Sequence, residues 1–202
     1  LIMTTYKEIN GTNIEAVSSD PANPVTGQVW YNLTDNVLKG AAATTAGAWA
    51  TGGNLNTARR GLAGAGTQAS ALGFGGYVPP GGPGYKALTE AYNGTSWTEV
   101  NDLNLGRSFL AGAGTQTSAL AFGGFTYPPS QTRAETETWN GSSWTEVNNL
   151  NSARREIAGV GENNTSALAF GGSPPGITAQ TESWNGTSWT EVNDLNQART
   201  SS

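Results

Sequence analysis

Short apolar runs, polar turns and alternating segments follow one another along this chain in a fixed order. Leu110-Ala111-Gly112-Ala113-Gly114 is a short apolar run, and Thr115-Gln116-Thr117 is a polar turn. Ser118-Ala119-Leu120-Ala121-Phe122 is a second apolar run, ending in Gly123-Gly124. A variable segment follows, from Phe125 to about Arg133. Glu135-Thr136-Glu137-Thr138-Trp139 alternates as a third strand, and Ser143-Trp144-Thr145-Glu146-Val147 is a fourth. Between them stands Asn140-Gly141. Asn-Gly between alternating runs is a strong hairpin signal, because both residues tolerate positive φ in a type I′ turn. The pattern predicts four short antiparallel strands in about 47 residues.

The same order occurs three times. Asn93-Gly94-Thr95-Ser96-Trp97-Thr98-Glu99-Val100 returns at Asn140–Val147 and at Asn185–Val192. The pairs Gly75-Gly76, Gly123-Gly124 and Gly171-Gly172 are 48 residues apart. Arg59, Arg107, Arg154 and Arg199 follow at intervals of 48, 47 and 45. A fixed period of this size marks a repeat architecture. The repeats run over residues 53–100, 101–147 and 148–192, with a partial copy over 193–202, so residues 49–202 read as one repeat region. Ala and Gly in the first two strands suit a crowded inner position. Trp97, Trp144 and Trp189 fall where wide sheet faces need filling, and each buries about 150–250 Å².

Residues 1–48 do not repeat and read as a separate docking segment. Gly27 to Gly40 predicts a hairpin: an aromatic strand, a Thr-Asp-Asn turn and a second strand. Asp20-Pro21-Ala22-Asn23-Pro24 before it reads as a stiff linker. Trp49 to Asn56 has the spacing of Trp97 to Asn104, so the chain enters the repeats on a fourth-strand-type segment.

Composition narrows the chemistry. The chain has no Cys and no His, which removes disulfides, the usual zinc sites, and Ser-His-Asp or Cys-His catalysis. Charged residues make up 12% and the net charge is −5. An acidic, Lys-poor chain argues against nucleic acid, whose binding rests on neutralising phosphates. No apolar run approaches the roughly 18 residues of a spanning helix, so membrane insertion is not expected. The Gly and Pro content is compatible with disorder, but the ordered recurrence of Trp and Leu is not. No convergent set of acids is visible; Glu156 and Glu162 are acids that do not repeat, and nothing pairs them in sequence. No cofactor or metal is expected, and the chain reads as a non-enzyme.

One set of residues carries a family likeness. A Gly-Gly pair after an apolar strand is followed by an aromatic before Asn-Gly (Tyr92, Trp139, Trp184). Trp97, Trp144 or Trp189 comes about five residues later, and then Leu-Asn-x-x-Arg. This series resembles the kelch repeat. The resemblance implies an all-β fold of kelch-like β-propeller blades, each a four-stranded antiparallel repeat. Three copies and two part-copies fall short of the usual four to eight blades. The expectation is that the 202 residues are part of a longer protein, that several chains complete one ring, or that the blades stack as an open array.

Upstream, the stretch from Gly27 to Gly40 resembles the N-termini of structural proteins of tailed phages, marine phages in particular. That resemblance implies a virion appendage such as a tail fibre. Residues 1–48 would dock on other virion proteins and the propeller would face outward, toward a host-surface glycan or protein. The localisation implied is the virion, assembled in the host cytoplasm and then extracellular, and the chain is expected to be a homo-oligomer. The competing reading is a bacterial surface adhesin or extracellular filament protein, and a more distant one is a carbohydrate-active enzyme.

Two repeated features each have two readings. The sequons at Asn93, Asn140 and Asn185 are glycosylation acceptors or hairpin-turn chemistry. The repeated Arg residues are a ring of ligand-binding guanidiniums, or a structural ladder bonding carbonyls or Glu99, Glu146 and Glu191 of an adjacent blade. Ligand contact is expected in the segments after the Gly pairs, which differ between copies while the strands do not. Tyr77 and Tyr85 lie in the first, Phe125, Tyr127 and Arg133 in the second, and Pro174 and Ile177 in the third. Each contains Pro-Pro, which stiffens a loop and lowers the entropy lost on binding.

Overall fold

The computed structural model describes residues 6–9, 12–22, 28–40, 51–79, 84–173 and 176–200. They fall into two compact units, Leu1–Ala50 and Thr51–Ser202. Trp49 and Pro174 lie outside the described residues.

The first unit holds β1 (Tyr6–Ile9), β2 (Thr12–Val17), β3 (Val29–Asn32) and β4 (Val37–Gly40), in that order across one sheet. The expected hairpin is β3–β4, with Trp30 opposite Lys39. Sequence reading did not find β2, which pairs parallel to β3 with Glu15 opposite Trp30. Asp20 organises the unit. Its carboxylate accepts from Trp30 Nε1 at 3.0 Å, Asn32 Nδ2 at 2.7 Å and Lys39 Nζ at 2.8 Å. These donors hold the Asp20 carboxyl at about 2, with Lys39 the largest contributor.

Among its described residues the second unit is all-β and built from three four-stranded antiparallel sheets at roughly regular spacing. The first contains β5 (Ala63–Thr67), β6 (Ser70–Phe74), β7 (Thr89–Tyr92) and β8 (Trp97–Val100). The second contains β9 (Ala111–Thr115), β10 (Ser118–Phe122), β13 (Thr136–Trp139) and β14 (Trp144–Val147). A two-stranded ribbon, β11 (Phe125–Thr126) with β12 (Gln131–Thr132), interrupts it. The third contains β15 (Ala158–Asn163), β16 (Ser166–Phe170), β17 (Thr181–Trp184) and β18 (Trp189–Val192). Among the described residues the three sheets form an open series and no ring closes.

Small residues in the first strands have a direct cause. β9 packs against β5 on one side and β15 on the other. A Cβ on Gly112 would stand 2.6 Å from both the Gly64 carbonyl and the Phe74 ring, so only glycine fits that approach. Away from this seam the gap between sheets widens, and tryptophan fills it. Trp144 lies edge-on to Phe74 of the preceding sheet at 4.9 Å, and its indole N–H donates to Thr89 Oγ1. Trp189 repeats both contacts with Phe122 and Thr136. Trp97, in the first sheet, stays half-buried and donates to the Gly53 carbonyl instead.

The hairpin turns differ from the expected type I′ geometry. Register pairs Tyr92 with Trp97, leaving four residues in the loop. Gly94 has positive φ and Asn93 does not. Asn93 Oδ1 accepts from the N–H groups of Thr95 and Ser96, an Asx turn that Asn140 and Asn185 repeat. The Asn side chain therefore acts as a turn acceptor rather than as a central αL residue.

Candidate functional site

Each Gly-Gly pair delivers the chain to the same end of its sheet. Gly123 and Gly124 have φ of 68° and 109°, a conformation that side chains with a Cβ rarely adopt. Gly124 N–H donates to the Arg154 carbonyl at 2.8 Å, and Gly76 and Gly172 donate in the same way to Arg107 and Arg199. Gly75, Gly123 and Gly171 each abut that same carbonyl, at 2.4–2.7 Å from where a Cβ would stand. Two-way backbone bonds then join Arg60 to Tyr77, Ser108 to Phe125 and Arg155 to Ser173. The variable segments thus start from rigid, equivalent anchors.

The repeated arginines face inward. Arg59 meets Glu90 at 2.6 Å, Arg107 meets Glu137 at 3.2 Å and Arg154 meets Glu182 at 2.6 Å, with every side chain in these pairs at most 3% exposed. Each guanidinium also donates to carbonyls in or flanking the second and third strands of its repeat: Gly73, Ala121, and Gly171 with Gln180. The expected partners Glu99, Glu146 and Glu191 are corrected to Glu90, Glu137 and Glu182, in the same sheet. The two sets are cross-strand neighbours, but the fourth strand is the outer edge and its glutamates are exposed. The connector carrying each Arg sets its charge against the third-strand carboxylate and reaches the fourth strand only through an Asn side chain, which donates to the Trp97, Trp144 or Trp189 carbonyl. Asn56, Asn104 and Asn151 of the Leu-Asn-x-x-Arg segment donate backbone N–H groups to the same carboxylates. Burial draws the Arg107 guanidinium below its ordinary value, and Glu137 opposes the shift. Arg199 is exposed and has no carboxylate in ion-pair range among the described residues.

Tyr77, Tyr85 and Phe125 come together at the Gly-Gly end. Tyr77 and Tyr85 ring centroids are 5.2 Å apart, and Tyr85 and Phe125 are 5.7 Å apart in an edge-on contact. Arg60 lies over Tyr77 at 5.3 Å and Arg155 over Phe125 at 4.7 Å. The strip therefore draws residues from all three repeats. Burial raises the Tyr85 phenol above its ordinary value, Tyr77 adds to the shift, and Arg155 and Arg60 oppose it.

Beside Tyr85 a cavity of about 520 Å³ is lined by Leu105, Thr126, Tyr127, Pro128 and Arg133. Arg133 donates to Thr126 Oγ1 at 2.9 Å and to Glu135 at 3.1 Å. Tyr127 is 62% exposed at its rim. Ile177 is equally exposed on the third loop but is not part of the stacked series. Sequence reasoning missed Arg60 and Arg155. The signal was present: Arg59-Arg60 and Arg154-Arg155 are doubled where the middle copy has Arg107-Ser108. The first Arg of each pair is the structural one, and the second lies over an aromatic ring, with Arg60 exposed and Arg155 half-buried.

The fold and its repeated packing define an all-β repeat protein. No protein-family model and no curated protein matches the chain.

Proposed function

We propose that this chain is a non-enzymatic structural protein of a virion appendage, a tail fibre or similar, whose kelch-like repeats form part of a β-propeller presented for host recognition. The observation that carries this reading is the division between strands and loops. Tryptophan, Arg–Glu and glycine contacts recur from sheet to sheet, while the segments leaving the Gly-Gly corners differ and place aromatic and basic side chains together. A rigid scaffold with variable loops at one end suits binding. The propeller reading is supported by the side-by-side packing of the first strands β5, β9 and β15. It is supported too by an open face on the third sheet. There Leu168 is 39% exposed, whereas its equivalents Leu72 and Leu120 are covered by a following sheet at 2% and 0%. The virion assignment is supported by the resemblance of residues 27–40 to phage structural proteins.

Mass spectrometry of density-gradient-purified particles tests it. The chain is expected to co-purify with capsid proteins. Recovery with cells or shed filaments, and not with particles, would replace this reading with a surface adhesin.

A further inference from the structure

Positive charge in the repeat unit is confined to one end. Every Lys and Arg between residues 51 and 200 lies in a segment tied to a Gly-Gly corner. Arg60 bridges Tyr77, the residue after Gly76. Lys86 N–H donates to the Gly76 carbonyl and Arg133 N–H to the Gly124 carbonyl. Arg155 bridges Ser173, and the Arg199 carbonyl accepts from Gly172. Arg59, Arg107 and Arg154 are neutralised inside the sheets. Arg60 and Lys86 pair with no carboxylate among the described residues, and Arg155 Nε stands 3.9 Å from Glu156 without a hydrogen bond. The exposed acids Glu99, Glu146 and Glu191 lie on the fourth strands, at the outer sheet edges, and Glu162 lies in a hairpin of the first two strands, while Asp102 and Asp194 accept from the Thr89 and Thr181 N–H groups near the Gly-Gly corners. A chain of net charge −5 thus carries at this end a local strip in which Arg60 and Arg155 lie over aromatic rings without a hydrogen-bonded carboxylate.

We propose that this end binds an acidic polysaccharide: Arg60 and Arg155 take its carboxylates, and Tyr127 and Tyr85 stack on its pyranose rings. This rests on reading the loop end as the recognition face, and not on the virion assignment. A guanidinium lying on an aromatic ring keeps its N–H edge directed outward, which suits a carboxylate. Exposed Tyr127 beside the Tyr85 cavity offers a flat apolar surface of the kind a sugar face covers. Nucleic acid fits less well. Duplex DNA carries a charge about every 1.7 Å and its binders neutralise roughly 6–10 phosphates. Here a few spaced cations sit on an acidic body. A polysaccharide with at most one carboxylate per ring matches that lower density.

The test is binding of the 202-residue chain to polygalacturonate, to its fully methyl-esterified form and to duplex DNA, at two salt concentrations. The expected result is binding to polygalacturonate that weakens with salt. Esterification, or the double substitution Arg60→Gln with Arg155→Gln, should weaken it about tenfold or more. Tyr127→Ala should weaken it while leaving the salt slope unchanged. Circular dichroism of each variant separates lost binding from lost fold. Equal binding to the esterified polymer overturns the acidic ligand and leaves a sugar-binding face. Equal or tighter binding to DNA overturns polysaccharide recognition. No binding to either polysaccharide, with attachment to host cells still lost in the Tyr127 variant, removes this ligand and retains the recognition face. No effect of any variant on cells or polymers removes both.

Discussion

Trp189 and Thr136 are 53 residues apart in sequence and on neighbouring sheets, yet the indole N–H of one donates to the hydroxyl of the other at 3.0 Å, out of solvent. The same bond joins Trp144 to Thr89. Thr136→Val keeps the shape and removes the acceptor, stranding a buried N–H. It should cost about 1–3 kcal/mol in urea unfolding. Trp189→Ala should cost more, about 3–5 kcal/mol, because the space between sheets empties as well. Equal, small effects would show that the sheets are not held at this seam.

The Arg154–Glu182 pair is a second joint, and Asn151 shares the carboxylate. Glu182→Gln leaves a buried guanidinium without its counter-charge and should destabilise by about 3–5 kcal/mol. Glu191→Gln, on the exposed neighbouring strand, should change the unfolding midpoint very little. Matching effects at the two positions would contradict the observed partner choice.

Close backbone approach sets a third test. Gly112→Ala pushes a methyl against the Gly64 carbonyl and Phe74 ring, and overpacking of this kind costs about 1–3 kcal/mol. Wild-type stability in this variant would mean that β5 and β9 stand further apart than they do here.

Glu156 sits at φ 52°, where its equivalent in the first copy is Gly61 at φ 62°. Its N–H donates to Phe109, whose N–H donates to Gly61 in turn. Glu156→Gly keeps this backbone ladder and relieves the left-handed conformation. The relief is about 1–2 kcal/mol before the added freedom of the unfolded chain is counted against it. A small net stabilisation is expected in thermal unfolding, and a loss would show that the Glu156 side chain contributes more than its strain.

Asp20 gives the first unit a pH signature. Its folded pKa, about 2, lies below the ordinary 3.8. The stabilisation is therefore present above about 3.8 and is lost as pH falls through about 2. The Trp30 indole N–H resonance, followed by NMR, should hold steady down to pH near 3 and move below it. A transition centred at the ordinary carboxylate value would separate Asp20 from Trp30.

Much of the fold was legible because repetition multiplies weak signals. Strand order, the Gly-Gly corners and the Trp positions could be read three times over. What was not legible depended on reach rather than residue type. Glu90 and Glu99 are chemically identical cross-strand neighbours, and only the path of the connector decides which one Arg59 meets. Asn-Gly announced a turn, but the register that makes it a four-residue Asx turn comes from pairing Tyr92 with Trp97. The β2–β3 pairing is parallel and has no local signature. In the candidate site, Tyr77, Tyr85, Phe125, Tyr127 and Arg133 could be chosen from loop variation. Arg60 and Arg155 could not, because each stands next to a repeated Arg that drew the functional reading to itself.

A cryo-EM map of the purified virion at side-chain resolution tests the central claim most directly. The account predicts kelch-like sheets in an appendage, with residues 1–48 against particle protein and the Gly-Gly end, carrying Tyr127 and Arg155, turned outward. A map that packs this end against another virion protein, or an appendage in which the chain is absent, would contradict it.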